Sequence, residues 1–179
     1  MRMSKVTIAV VLLIATVVIL YLTFNHGSRR IGVNVGDTAP NAEFTLPNGS
    51  VVSLASFRGH YVLLYLVSTW CPDCAYGVAV LAHYVNLFES KGVYVIVLEQ
   101  YDDLGYSGPP ITSFLSYYGG NASRYFIAGV ASLSMTKTYN PSLQLEVYYL
   151  ISPNGRILYS GANLAYAYPG LISVIKGIG

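Results

Sequence analysis

The chain has 179 residues, 54% of them hydrophobic and only 10% charged, with a formal net charge of +2. Its ten Lys and Arg are scattered rather than gathered on one stripe, which excludes the electrostatic footprint of a nucleic-acid binder. With two cysteines and no paired histidines, it also lacks the ligand set of a structural zinc site.

In chain order, residues 1–5 are a basic leader, and residues 6–24 are an uncharged apolar run of about 19 residues, long enough to cross a bilayer core as a helix. A cleaved signal peptide has a shorter apolar core and a small-residue exit. This run instead ends in Leu20-Tyr21-Leu22-Thr23-Phe24, so it reads as an uncleaved signal anchor that holds the chain to membrane lipid. Arg29 and Arg30 nearly balance Arg2 and Lys5, so charge alone does not orient it. Two triplets, Asn48-Gly49-Ser50 and Asn121-Ala122-Ser123, permit glycosylation and favour an extracytoplasmic domain. Residues 25–36 read as a linker, and residues 37–179 as one domain with enough chain for a core.

The domain opens with a β-hairpin over residues 43–46 and 50–54, around Asn48-Gly49. Next come a strand over 61–67, a helix over 75–90 and a buried strand over 93–98, which together form a β-α-β unit. A loop marked by Gly105, Gly108, Pro109 and Pro110 leads to a short helix over 111–118, an extended piece over 124–127 and a helix over 131–139. Residues 147–151 and 156–159 form a closing hairpin, and a last helix covers 168–178 with Pro169 in its first turn. The expected fold is α/β, a central mixed β-sheet flanked by helices.

The only two cysteines lie in Trp70-Cys71-Pro72-Asp73-Cys74, between a strand and a helix. Cys71 falls at the helix start, where free backbone N–H groups and the helix dipole favour a thiolate. Cys74, one turn later on the same side, is placed to attack Cys71 and resolve a mixed disulfide. A purely structural bridge closing so small a loop would gain little stability. The pair reads as a redox-active dithiol, with no bound metal or cofactor.

On these residues the chain resembles the thioredoxin superfamily, specifically the membrane-anchored thiol-disulfide oxidoreductases of the TlpA/ResA and redoxin type. The likeness covers about residues 35–179, carried by Phe44-x-Leu46, Asn48-Gly49, Phe57-Arg58-Gly59, the Trp70–Cys74 pentapeptide and Tyr149-Leu150-Ile151-x-Pro153-Asn154-Gly155. It implies that Cys71 attacks, Cys74 resolves and Trp70 shields the site. It further implies protein disulfide or dithiol clients and a membrane or exported electron donor, with cytochrome c maturation among the family's tasks. Three departures stand out. Tyr65 occupies the place of the buried acid six residues before the first cysteine, and Gly77 that of a Glu six residues after it. Glu146 stands where relatives carry a cis-proline, beside Leu145.

Asp73 and Glu146 are expected to set the redox poise in place of those elements, since a carboxylate close to a forming thiolate disfavours it and makes the dithiol a better reductant. His26 falls in the linker and His60 before a strand, neither with a functional reading, while His83, off the apolar stripe of its helix, reads as solvent-facing. Asp102 and Asp103 read as the start of a solvated loop, and the seventeen tyrosines mainly as strand residues. Two other functions are weighed. A peroxiredoxin needs a Thr and a Pro where Ser68 and Leu64 stand. A copper chaperone for oxidase assembly needs C-x-x-x-C and a histidine near residues 144–148, which hold none. The expected function is a membrane-tethered thiol-disulfide oxidoreductase acting on exported proteins, more as reductant than oxidant.

Overall fold

A computed structural model of the chain describes residues 5–25 and 30–179, with side chains over 10–20 and from 30 onward. The leader as far as Ser4, His26 and Arg29 lie outside the described residues. The chain divides into two compact units, Met1–Arg30 and Ile31–Gly179. In the first, α1 covers Lys5–Asn25, with Val10, Leu13 and Ile19 among its exposed apolar side chains. Residues 10–20 rise about 16 Å, roughly half of a bilayer's hydrocarbon core. Among the described residues no helix is long and apolar enough to cross a membrane. The anchor expected over residues 6–24 extends past those described side chains at both ends.

The second unit opens at Ile31, inside the segment read as linker. Ile31 bridges Thr38, Thr38 bridges Arg156, and the Gly36 N–H donates to the Ile157 carbonyl. Its sheet has seven strands: β1 Glu43–Thr45, β2 Val51–Ser53, β3 Tyr61–Val67, β4 Val93–Glu99, β5 Phe126–Ala131, β6 Glu146–Ile151 and β7 Ile157–Gly161. They lie in the order β2-β1-β5-β4-β3-β6-β7, with β3, β4 and β5 mutually parallel and the remaining pairings antiparallel. The helices are α2 Pro72–His83, α3 Val85–Ser90, α4 Ile111–Gly119, α5 Leu133–Tyr139 and α6 Leu164–Gly177.

Strand β3 is central and apolar throughout because it is covered on both sides. Side chains alternate across a strand, so Leu63, Tyr65 and Val67 pack with Val78, Leu81, Phe114 and Leu171 under the helices α2, α4 and α6. Val62, Leu64 and Leu66 face the opposite core with Phe44, Ile96, Leu98, Met135 and Tyr139. Tyr148 and Tyr149, adjacent on β6, are buried on opposite faces, while Tyr117 is the most exposed tyrosine among the described residues.

Three elements differ from the sequence expectation. The helix expected over 75–90 starts at Pro72 and breaks at Tyr84, which leaves helical geometry with φ −99° and ψ 11°. The extended piece expected over 124–127 is strand β5, displaced because residues 120–125 coil into a 3-10 turn. Gly129 within β5 disguised the strand. A Cβ there would stand 2.7 Å from the Thr45 carbonyl oxygen, so the close approach of β1 requires glycine. The last helix begins four residues early, at Leu164, and holds Pro169 in its interior. Its start is fixed by Asn163, in the left-handed region, and by a carboxylate of β6 described below.

Candidate active site

Because β3 and β4 are parallel neighbours, the segments leaving them after Val67 and Glu99 emerge side by side at one end of the sheet, joined there by the start of β6, since Val67 pairs with both Glu99 and Glu146. The residues leaving β3 turn directly into α2. Cys71 is the N-cap, in extended geometry, and its Sγ accepts the Cys74 N–H at 3.3 Å. Pro72 fits the first turn because its missing N–H falls where no intrahelical partner exists. Both cysteines are unbridged and buried, and the Cys74 thiol donates to the Leu145 carbonyl at 3.4 Å. Burial, then the contact with Cys71, pushes the Cys74 thiol well above the ordinary cysteine range. The helix terminus therefore directs an N–H at one sulfur, while the other is kept as a buried thiol.

Glu146 is drawn into the same place. It is 4% exposed at the head of β6 and shares a cleft with Cys71, Asp73, Leu145 and Asn163. Its Oε2 accepts the Tyr65 hydroxyl, and its Oε1 accepts the Leu164 N–H at 2.8 Å, capping α6. Burial raises its pKa to about 7, opposed by the Leu164 N–H. Gly77 makes room for this pair: a Cβ on it would lie 2.3 Å from the Tyr65 hydroxyl and 3.3 Å from Glu146 Oε2. The three departures noted in the sequence thus converge in space, one turn beyond Cys74 on α2. Asp73 remains exposed in the first turn of α2 and lines the cleft from outside. His60 and His83 are exposed.

Asp103 corrects the expectation of a solvated pair. Asp102 is exposed, but Asp103 is 4% exposed, accepting the Thr69 N–H at 2.9 Å and the Thr69 hydroxyl at 2.8 Å. Its own carbonyl accepts the Trp70 indole N–H at 2.9 Å, and the Trp70 ring packs against Tyr106 with centroids 4.8 Å apart.

Gln100 and Asn140 are two further residues that sequence reasoning missed. The Gln100 amide N–H group donates to the Gln144 and Leu145 carbonyls at 3.0 Å each, and its oxygen accepts from Asn140. Asn140 also holds Gln144 through both N–H and carbonyl, closing a loop in which Leu143 has φ +50°. The signal that would have found them is topological: loops after adjacent parallel strands share one end of the sheet, where sites form.

A family model described as Redoxin matches residues 34–164. The chain is similar to the thiol-disulfide oxidoreductase ResA of Bacillus cereus, 24% identical over 131 residues that cover 73% of this chain and 71% of that protein. It is also similar to ResA of Bacillus thuringiensis, 22% identical over 88% of each chain. Among solved structures, a thioredoxin-like protein from Aeropyrum pernix aligns with TM-score 0.61 at 22% identity, covering 77% of this chain and 89% of that one. A 2-Cys peroxiredoxin from Plasmodium vivax aligns with TM-score 0.53 at 23% identity, over 79% and 80%. The likeness to these structures establishes the thioredoxin-like fold.

Proposed function

The chain belongs to the Redoxin family, and from that membership together with its dithiol we propose that it is a thiol-disulfide oxidoreductase working through Cys71 and Cys74. The observation that carries the proposal is Cys71 at the N-cap of α2, with the Cys74 N–H on its sulfur and Cys74 buried as a thiol behind it. The Cys71 thiolate attacks a client disulfide, forming a bond to one client sulfur and releasing the other as a thiolate. Cys74 then gives up its proton and attacks the Cys71 sulfur, which forms the intramolecular disulfide and frees the second client thiolate. Two electrons pass to the client, and an external dithiol must restore them. Glu146, neutral and anionic in comparable amounts near pH 7 and lining the cleft that Cys71 lines, is the proposed acceptor of the Cys74 proton, with Tyr65 holding its carboxylate. Asp73 and Glu146 line the same cleft as Cys71, and a carboxylate there that approached a forming thiolate would disfavour it and bias the dithiol toward the reductant direction.

The proposal extends to where the enzyme works: anchored through residues 6–24, with the redox domain outside the cytoplasm and exported proteins as clients. The uncharged run, the helix α1 and the exposure of both sequon asparagines, Asn48 and Asn121, support this reading. Insulin-disulfide reduction by the full chain tests the chemistry. Cys71→Ser is expected to abolish it, and Cys74→Ser to stall as a mixed disulfide. A Cys71→Ser variant that kept wild-type activity would sink the assignment. Retention in membranes through a carbonate wash, and glycosylation at Asn48 or Asn121 in a glycosylating host, test the placement.

A further inference from the structure

We propose that Asp103 is a positioning residue for Cys71, acting through a left-handed turn that clamps the two residues ahead of the cysteine. The inference rests on the dithiol exchange proposed above. Asp102, Asp103 and Leu104 have φ of 51°, 44° and 59°, three consecutive non-glycine residues in the left-handed region. Each is disfavoured there, and such conformations persist only where surrounding contacts over-determine them.

The contacts that do so converge on the segment entering the dithiol. The Asp103 carboxylate holds Thr69 at its N–H and its hydroxyl, and the Asp103 carbonyl holds the Trp70 indole. On the other flank, the Gln100 amide contacts the Ser68 hydroxyl at 3.4 Å. Every residue between the end of β3 and Cys71 is therefore bonded to the exit of β4. Cys71 in turn takes its place from this segment, its N–H donating to the Ser68 carbonyl at 3.1 Å.

Gly108 closes the clamp from outside. A Cβ there would meet the Thr69 hydroxyl oxygen at 2.1 Å, Asp103 Oδ2 at 2.5 Å and the Trp70 nitrogen at 2.9 Å. The chain passes so near only because residue 108 has no side chain. An ordinary surface loop needs neither the left-handed run nor a buried carboxylate. Both are explained if the turn fixes how Cys71 is presented, since displacement of a reacting group by about 1 Å costs on the order of 100-fold in rate.

Trp70 is the only tryptophan, so its fluorescence reports this contact directly. The test uses the full chain in detergent, with insulin disulfide as substrate, dithiothreitol as the external dithiol that re-reduces the pair, and Cys71→Ser as the inactive reference. Asp103→Ala is expected to lower kcat at least 10-fold with KM within about 2-fold, and to red-shift Trp70 emission. Asp103→Asn is expected to recover most of both, because its amide oxygen can accept the Thr69 N–H and its NH2 can donate to the Thr69 hydroxyl. Gly108→Ala, which leaves Asp103 in place but presses on Thr69, is expected to reproduce the loss and serves if Asp103→Ala does not fold.

Unchanged kcat and emission in either Asp103→Ala or Gly108→Ala would overturn the clamp. Equal defects in Asp103→Ala and Asp103→Asn would assign the effect to charge instead of position, and a change confined to KM would assign it to client docking. Either result also refutes the proposal. A wild-type chain no more active than Cys71→Ser would instead refute the exchange chemistry, with the fluorescence still reporting on the clamp.

Discussion

Replacing Glu146 with Gln separates the two roles of this side chain, helix cap and titratable acid. Gln keeps the shape and both contacts, accepting the Leu164 N–H and meeting the Tyr65 hydroxyl, but cannot ionise. In the wild-type fold the carboxyl holds its proton up to about pH 7, against an ordinary value of 4.5. Between those two values the folded chain binds more protons than the unfolded one, so stability falls as pH rises and levels off above pH 7. At about 1.36 kcal/mol per pH unit, that window corresponds to roughly 3 kcal/mol. Relative to wild type, Glu146→Gln should therefore gain about 3 kcal/mol between pH 4 and pH 8. The measurement is urea unfolding of both proteins at matched pH values, followed by Trp70 fluorescence. The same variant should resolve mixed disulfides more slowly, and the wild-type rise in resolution rate near pH 7 should disappear. Parallel stability curves for the two proteins would show that Glu146 titrates as an ordinary surface acid, and the reasoning would fail.

Gly77→Ala sets helix propensity, a gain of about 1 kcal/mol, against a Cβ driven to 2.3 Å from the Tyr65 hydroxyl in a fully buried site. Overpacking of about 1–3 kcal/mol plus the displaced Tyr65–Glu146 contact should win, and a variant that melts higher than wild type would contradict this. Gln100→Ala removes one donor from each of the Gln144 and Leu145 carbonyls, which keep the Asn140 amide and the Ser68 N–H, and takes an acceptor from the buried Asn140 amide, and should cost about 1–3 kcal/mol in denaturant unfolding. A loss under about 1 kcal/mol would mean that water replaces the amide. Among the described residues the Tyr148 hydroxyl is buried without a well-formed hydrogen bond, only the Tyr159 side chain interacting with it as a neighbouring hydroxyl, so Tyr148→Phe should be neutral or stabilising by about 1 kcal/mol in thermal unfolding. A clear destabilisation would reveal a partner for that hydroxyl.

The parts of the molecule legible in its sequence are those whose cause is local. Strand β3 begins and ends where its run of apolar residues does, because burial on both faces demands such a run. The N-cap role of Cys71 follows from a short strand meeting helical periodicity at a Pro in the first turn. The misplaced elements have distant causes. The start of α6 is set by Glu146, eighteen positions earlier in the chain, so the nearest local signal, Pro169, pointed to the wrong residue. Asp103 read as solvated because Asp102-Asp103 beside Gly105 has the composition of a loop. Its burial depends on Thr69, thirty-four positions away. Tyr65, Gly77 and Glu146 each stood out as a departure from relatives, yet nothing in the linear order showed that they fill one another's space.

The bridges from Ile31 to Thr38 and from Thr38 to Arg156 fix where the chain comes into the redox domain. They lie beside Ile151 and Ile157, where β6 ends and β7 begins, whereas Cys71 stands at the other end of the sheet, by Val67 and Glu146. Seven residues of β3 separate the two ends, about 23 Å at roughly 3.3 Å per residue. The entry of the chain into this unit and the dithiol therefore lie at opposite ends of the sheet, and a change at one reaches the other only along the length of β3.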